Sequence, residues 1–198
     1  ANLFIEALAQ KIQKESLTIK VVASSTVSQI KALECGLDYI SLDQIETIDT
    51  YVDGADEVTK NLEVLKGRGY DLLREKLLAQ ASDQFIVIGD KSKMVSKIGE
   101  KFPIPIEITP IAWKITKKII QKIAVNCVLR PNNAGDAFAI TSAGNYGLDC
   151  QFEYQDLKVL SGEIAKTPGV IEYGIFQNIA KIALIGENNQ IETITLEA

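Results

Sequence analysis

The run Phe85-Ile86-Val87-Ile88 constrains the fold more than any other part of the sequence. Four consecutive apolar residues without polar alternation predict a strand buried inside a sheet rather than one with a wet face. A helical stretch over 70–81 precedes it, and the same alternation of signals runs back to the start of the chain. Leu3, Phe4, Ala7, Leu8 and Ile12 form one apolar stripe of a first helix. A β-branched run over 19–22 closes on Ala23-Ser24-Ser25-Thr26, and a helix over 27–35 ends at Gly36, a plausible residue to follow a helix C-terminus. Tyr39-Ile40 reads as a short strand. Thr50-Tyr51-Val52 reads as another, running into Asp53-Gly54-Ala55-Asp56-Glu57. Repeated strand–helix alternation predicts an α/β fold, an open and mostly parallel sheet with helices on both faces.

The pattern changes at Phe102-Pro103-Ile104-Pro105, where two prolines around one residue predict an extended connector. Beyond it the order is a strand over 106–108, a helix over 111–123, and strands over 125–129, 138–142 and 148–152. A helix over 155–166 and a strand over 170–176 follow. That order describes a smaller α+β lobe of split βαβ, ferredoxin-like type. Two further strands, over 179–185 and 191–196, are expected to return to the first unit. The domain reading is therefore residues 1–102 with 178–198 as a discontinuous, N-terminally incomplete α/β unit, and 103–177 as the lobe. A length of 198 residues suits one domain with such a lobe.

The chain contains no histidine. That removes histidine general bases, Ser-His-Asp and Cys-His nucleophiles, and most catalytic zinc sites. Acid–base chemistry has to rest on Asp, Glu, Lys, Tyr or Cys. Lys+Arg 21 against Asp+Glu 26 gives a net charge of −5, which argues against a nucleic-acid partner. Cys35, Cys127 and Cys150 are odd in number and far apart, so free thiols in a reducing cytoplasm are expected. No apolar run approaches a membrane span and no signal-peptide pattern is visible, so no membrane partner is expected.

Three segments carry candidate chemistry. In Asp53-Gly54-Ala55-Asp56-Glu57, carboxylates crowd the end of an apolar strand, where ligand sites of parallel sheets lie. Crowding raises carboxyl pKa values and suits proton handling. An acidic turn is the commoner reading of such spacing, and the EF-hand pattern fails. Lys66-Gly67-Arg68-Gly69 opens a helix bearing Arg74-Glu75-Lys76, and glycines before a helix can turn backbone N–H groups toward an anion. The spacing fails both the Walker A and the dinucleotide fingerprint. By itself Glu75 reads as a solvated helix residue between two cations. Gly89-Asp90-Lys91-Ser92-Lys93 places lysines beyond a strand end, as a phosphate contact or as a basic surface loop.

The combination is more specific than its parts. The order Tyr-Val-Asp-Gly-Ala-Asp-Glu, Lys-Gly-x-Gly, Arg-Glu-Lys and Asp-x-Ser-Lys resembles the A-type ribose-5-phosphate isomerase family. So do Lys101-Phe102-Pro103-Ile104-Pro105-Ile106-Glu107, Thr167-Pro168-Gly169-Val170, Gly174-Ile175-Phe176 and Ala183-Leu184-Ile185-Gly186. The resemblance covers nearly the whole chain in order.

It implies interconversion of D-ribose 5-phosphate and D-ribulose 5-phosphate through an enediolate, with no metal or organic cofactor. It also implies a cytoplasmic homodimer or homotetramer. By motif match, Glu75 is the base, while Asp53 assists ring opening and holds sugar hydroxyls together with Gly54, Ala55 and Asp56. Lys66, with the N–H groups of Gly67 and Gly69, stabilises the enediolate, and Lys93 binds phosphate. Arg68, counted with this loop among the substrate-binding residues, departs from the family's glycine. A left-handed backbone there would cost roughly 1 kcal/mol and reduce activity. The resemblance further implies a Gly-Thr-Gly-Ser-Thr phosphate loop, with the strand before it, ahead of Ala1. A chain truly lacking it would be a crippled homologue or a sugar-phosphate sensor.

Overall fold

The structure, a computed structural model, describes residues 2–196. In chain order the elements are α1 (Asn2–Glu15), β1 (Lys20–Val21), α2 (Thr26–Glu34), β2 (Asp38–Tyr39), β3 (Ile48–Gly54), β4 (Glu57–Val58), β5 (Val64–Leu65) and α3 (Leu72–Ala81). They continue as β6 (Ser82–Asp90), β7 (Ile104–Ile108), α4 (Trp113–Ile120), β8 (Asn126–Leu129), β9 (Tyr146–Gln151) and α5 (Leu157–Ala165). The chain closes with β10 (Val170–Tyr173), β11 (Ile175–Phe176), β12 (Ala180–Glu187) and β13 (Gln190–Thr195).

The apolar run that opened the sequence reading lies in β6, in a sheet of order β13-β12-β6-β3. β6 pairs in parallel with β3 on one side and β12 on the other, and β13 adds an antiparallel edge. Phe85 and Val87 are fully buried while Ile86 and Ile88 are half-buried, so one face of the strand carries the core. Tyr51 pairs with Phe85 and Asp53 with Val87, which fixes the height of Asp53 at the carboxyl end of the sheet. α2 ends at Gly36 as expected, and Ser25 caps its start. The Ser25 side chain accepts the Ser28 N–H, and Gly36 follows the helix at φ +71°. β1 and β2 form a separate two-stranded parallel sheet.

The lobe sheet has the order β10-β7-β9-β8, all antiparallel, which is the strand order of a split βαβ unit. Its core gathers Ile104, Ile106, Ile108, Ile120, Leu148 and Ile164. Three local expectations change here. Pro105 is inside β7 rather than in a connector. Its carbonyl faces Gly174 beyond the end of β10, so its missing N–H points the same way and takes no bond from the β7–β9 ladder. The helix expected over 111–123 shortens to α4, because Ala112 at φ +54° turns the chain into it and overlapping tight turns follow Ile120. The strand expected over 138–142 reduces to two isolated bridges, Pro131 with Phe138 and Ile140 with Tyr146. The segment runs beside the turn organised by the Asn132 side chain and reaches a strand only at Tyr146, the first residue of β9.

Cys127 and Cys150, expected as free thiols, are joined in a disulfide, and Cys35 is free. The two lie directly opposite on β8 and β9, with Cα atoms 4.1 Å apart, although 23 residues separate them in sequence. Strand register creates such neighbours, and spacing along the chain does not show them.

The strand expected over 170–176 is broken at Gly174 into β10 and β11, which belong to different sheets. β11 leaves the lobe to pair with β5, and β5 pairs with β4. At the crossing, the Gly174 N–H donates to Pro105 O at 2.7 Å and its carbonyl accepts the Lys66 N–H at 2.9 Å. A Cβ on Gly174 would sit 2.3 Å from Lys66 O and 2.8 Å from Pro105 Cδ. Neither neighbour can swing away, so this close approach requires glycine. Gly174→Ala is expected to destabilise the fold by about 1–3 kcal/mol, an overpacking cost. Chemical denaturation checks this, and an unchanged midpoint would show that the junction yields.

Candidate active site

Three elements converge beyond the carboxyl end of β3. The strand ends in Asp53-Gly54, β5 runs straight into Lys66, and the first turn of α3 carries Glu75. Lys66 is 4% exposed, and its ammonium is at the centre of the group. Its Nζ donates to Gly54 O at 2.7 Å, pairs with Asp53 Oδ2 at 3.0 Å and reaches Glu75 Oε2 at 3.4 Å. Tyr51, on the same face of β3 as Asp53, donates its hydroxyl to Asp53 Oδ2 at 2.5 Å. The Gly54 N–H donates to Asp53 Oδ1 at 2.7 Å. Asp53 is thus held on both oxygens.

Glu75 is held differently. Its Oε2 is within ion-pair reach of Lys66, but the angles are not those of a hydrogen bond, and the buried oxygen has no partner. Burial pushes the Glu75 carboxyl up to about 7, against the pull of Lys66 and with the nearby Asp53 charge adding to the rise. Burial alone would lower the Lys66 ammonium, but Asp53 and Glu75 outweigh it and raise it, so it stays charged. Tyr51 is raised well above its ordinary value by burial and by the Asp53 and Glu75 charges, so it remains a donor. The cluster therefore contains a fixed cation, an aspartate held by hydrogen bonds on both oxygens, and one carboxyl free to exchange a proton near neutrality.

The reading of Glu75 as a solvated residue between two cations does not hold. Lys76 is itself buried, paired with Glu172 at 2.6 Å and stacked over the Tyr173 ring at 3.9 Å. α3 is enclosed on both sides because it packs on β3 and β6 and also on β10 of the lobe.

The glycine loop differs in detail from expectation. Gly67 takes the left-handed backbone, φ +94°, and a Cβ there would meet Leu72 Cδ1 at 2.8 Å. Arg68 does not have positive φ, so the cost expected at that position is absent. Its guanidinium stacks over the Phe102 ring at 3.9 Å. Gly69 is open on its Cβ side. Asp56 is tied to this loop: its N–H donates to Leu65 O at 2.8 Å and its Oδ2 accepts the Arg68 N–H at 3.3 Å. Burial raises the Asp56 carboxyl, with the Arg68 bond and the Lys66, Arg68 and Lys93 charges opposing. Lys93 is half-buried on the 3₁₀ turn Lys91–Lys93 beyond β6, on the Asp56 side of the site, and touches none of Asp53, Lys66 or Glu75. Ala55 packs against the sheet core and contributes backbone rather than side-chain chemistry. A cavity of about 480 Å³, walled mostly by apolar residues of α1, β1 and β3, opens beside Tyr51 and Asp53.

Sequence reasoning missed the supports of this arrangement. Arg130 reaches from the lobe to the carbonyls of Gly67, Arg68 and Gly69 at 3.0, 3.3 and 2.9 Å. Glu107, buried in β7, accepts the Leu73 N–H in the first turn of α3 at 3.2 Å, and its other oxygen binds Thr141 and Asn145. Glu57, also buried, takes the N–H groups of Gly99, Lys101 and Phe102 at 2.7, 2.6 and 2.8 Å. Glu57 and Glu107 stand inside family-like motifs, but nothing in the chain marks them as anchors. Arg130 carries no sequence signal.

The sequence profile described as ribose 5-phosphate isomerase A (phosphoriboisomerase A) matches residues 20–190. A ribose-5-phosphate isomerase A of Rhodopseudomonas palustris is 38% identical over 98% of this chain and 85% of its own length. The one from Thermococcus kodakarensis is 37% identical over 92% of this chain and 81% of its own. Among solved structures, ribose 5-phosphate isomerase A from Methanocaldococcus jannaschii superposes with a TM-score of 0.92 at 32% identity, covering 98% of this chain and 86% of that one. A D-ribose-5-phosphate isomerase in complex with phospho-erythronic acid gives 0.93 at 35% identity, over 98% and 86%. Profile, relatives and solved structures agree with one another, and the chain belongs to the ribose 5-phosphate isomerase A family.

Proposed function

We propose that this chain interconverts D-ribose 5-phosphate and D-ribulose 5-phosphate through an enediolate, and that Glu75 is the base. The observation that carries the assignment is the unpartnered Glu75 oxygen, buried beside a lysine that stays charged. A carboxylate with a pKa of about 7 matches the pH at which it must both accept and return a proton. Glu75 takes the proton from C2 of the open-chain aldose and delivers it to C1. The hydroxyl proton moves from O2 to O1 as the carbonyl shifts. Negative charge develops on the enediolate oxygens, and Lys66 with the Gly67 and Gly69 N–H groups is placed to stabilise it. Asp53, fixed by Tyr51 and Gly54, serves ring opening and holds sugar hydroxyls, Asp56 contacts the sugar, and Lys93 takes the phosphate.

We assign this chemistry to the unit of residues 1–102 and 178–198, with residues 103–177 as a lobe that braces it. A homodimer or homotetramer in the cytoplasm belongs to the same reading. It is supported by the family, and no described helix is long and apolar enough to cross a membrane.

Glu75→Gln is expected to abolish turnover of ribose 5-phosphate while calorimetric binding persists. A variant that still turns over would remove Glu75 as the base, and binding without turnover by the parent chain would favour a sensor. The pH dependence has a definite sign. Catalysis needs ionised Glu75, so kcat/KM should fall about tenfold per pH unit below about 7 and level off above it. Stability runs the other way. Below about 4.5 the carboxyl is protonated in both folded and unfolded chains. Between about 4.5 and 7 only the unfolded chain releases its proton, so the folded state loses stability as pH rises through that interval. Glu75→Gln removes that loss while Asp53 keeps Lys66 paired. Its melting temperature relative to the parent should therefore climb from pH 4.5 to 7 and then stay constant.

A further inference from the structure

We propose that Arg130 is a positioning residue that orients the backbone N–H groups of residues 68–70, turning the Arg68 N–H onto Asp56 and the Gly69 N–H, one of the two enediolate donors assigned above, into the site. The inference rests on the isomerase reading above and adds a part of the lobe to it. Arg130 follows β8, and its side chain is 12% exposed. Its Nε and Nη2 grip the two oxygens of Asp149 on β9, at 2.9 and 2.5 Å, a bidentate pair that fixes the guanidinium plane. The guanidinium lies flat against Gly147, where an added Cβ would stand 3.6 Å from its Cζ. Nη1 is left to donate to three consecutive carbonyls, Gly67, Arg68 and Gly69.

A trans peptide is planar, with its N–H pointing opposite to its C=O. Drawing the carbonyls of residues 67, 68 and 69 to one nitrogen therefore turns the N–H groups of residues 68, 69 and 70 to the other side. The Arg68 N–H shows this, since it donates to Asp56 Oδ2. Arg68 stacks on Phe102, and Arg68 and Gly69 are exposed. Behind the loop its three carbonyls are gathered by one guanidinium, while the Asp56 bond to the Arg68 N–H holds the front and the Ser142 N–H holds Tyr70 O at the far end. A lysine would supply charge but neither the fork for Asp149 nor a fixed third donor.

The test uses the full chain with Arg130→Lys and, as a milder variant that keeps the arginine, Asp149→Asn. With ribose 5-phosphate, Arg130→Lys should lower kcat about 10²-fold, the scale of losing aligned oxyanion donors, with a much smaller change in KM. The pH limb near 7 should stay in place, because the Glu75 surroundings are intact. Asp149→Asn should show the same pattern more weakly. Amide hydrogen exchange at residues 68–70, read without substrate, should accelerate in both variants while exchange in β6 does not. Parent-like kcat in Arg130→Lys, or unchanged exchange at 68–70, would overturn the proposal. So would a fall in kcat accompanied by faster exchange throughout the fold, which marks general loosening. The exchange result stands even if the parent chain fails to turn over ribose 5-phosphate, an outcome that would overturn only the isomerase reading.

Discussion

The burial of one ammonium organises this molecule. Lys66 is shielded from water among Gly54 O, Asp53 and Glu75, and an ion in such a place has to be met by charge and hydrogen bonds. Meeting it fixes the end of β3, the end of β5 and the first turn of α3 relative to one another. The same requirement leaves Glu75 as the imperfect partner. Asp53 takes the ammonium at 3.0 Å and is itself held by Tyr51 and Gly54, whereas Glu75 has burial without a hydrogen bond on one oxygen. One carboxylate is held in place on both oxygens, and the other is free to exchange a proton.

The lobe is part of this arrangement because the chain crosses between sheets at Gly174. That residue touches Pro105 of the lobe and Lys66 of the site in the space of one peptide. Glu107 and Arg130 extend the contact, one holding the start of α3 and the other the glycine loop. All three ties run through backbone groups. They position the segment between Lys66 and Glu75 without using the side chains that do the chemistry, and the lobe core of isoleucines and leucines gives them a rigid base.

Much of the fold was legible in local pattern. The apolar stripe of α1, Gly36 after α2, and the apolar run of β6 each reflect a short-range rule, and each element appears where the rule puts it. The misreadings share a different cause. Pro105 escapes its usual role as a strand breaker because its blank N–H lies beyond the end of a neighbouring strand. Residues 138–142 have the composition of a strand but meet β9 only at its first residue, Tyr146. Cys127 and Cys150 meet only through register. Composition and spacing carry no information about which strand lies next to which.

The site divides along the same line. The sequence by itself determined the residue types and their order: carboxylates after β3, a lysine and glycines before α3, a glutamate in the first turn of that helix, and no histidine to compete with it. Those choices limit the chemistry to carboxylate and amine groups, and the family-like order of motifs points to a sugar-phosphate isomerase. Only the tertiary structure decided that Glu75 is buried rather than solvated, that Gly67 and not residue 68 takes the left-handed turn, and that Arg130 stands behind the loop. The reason is physical. A proton affinity and a loop's orientation depend on distance, dielectric and hydrogen-bond partners, and these are set by groups that are far apart along the chain and adjacent in space.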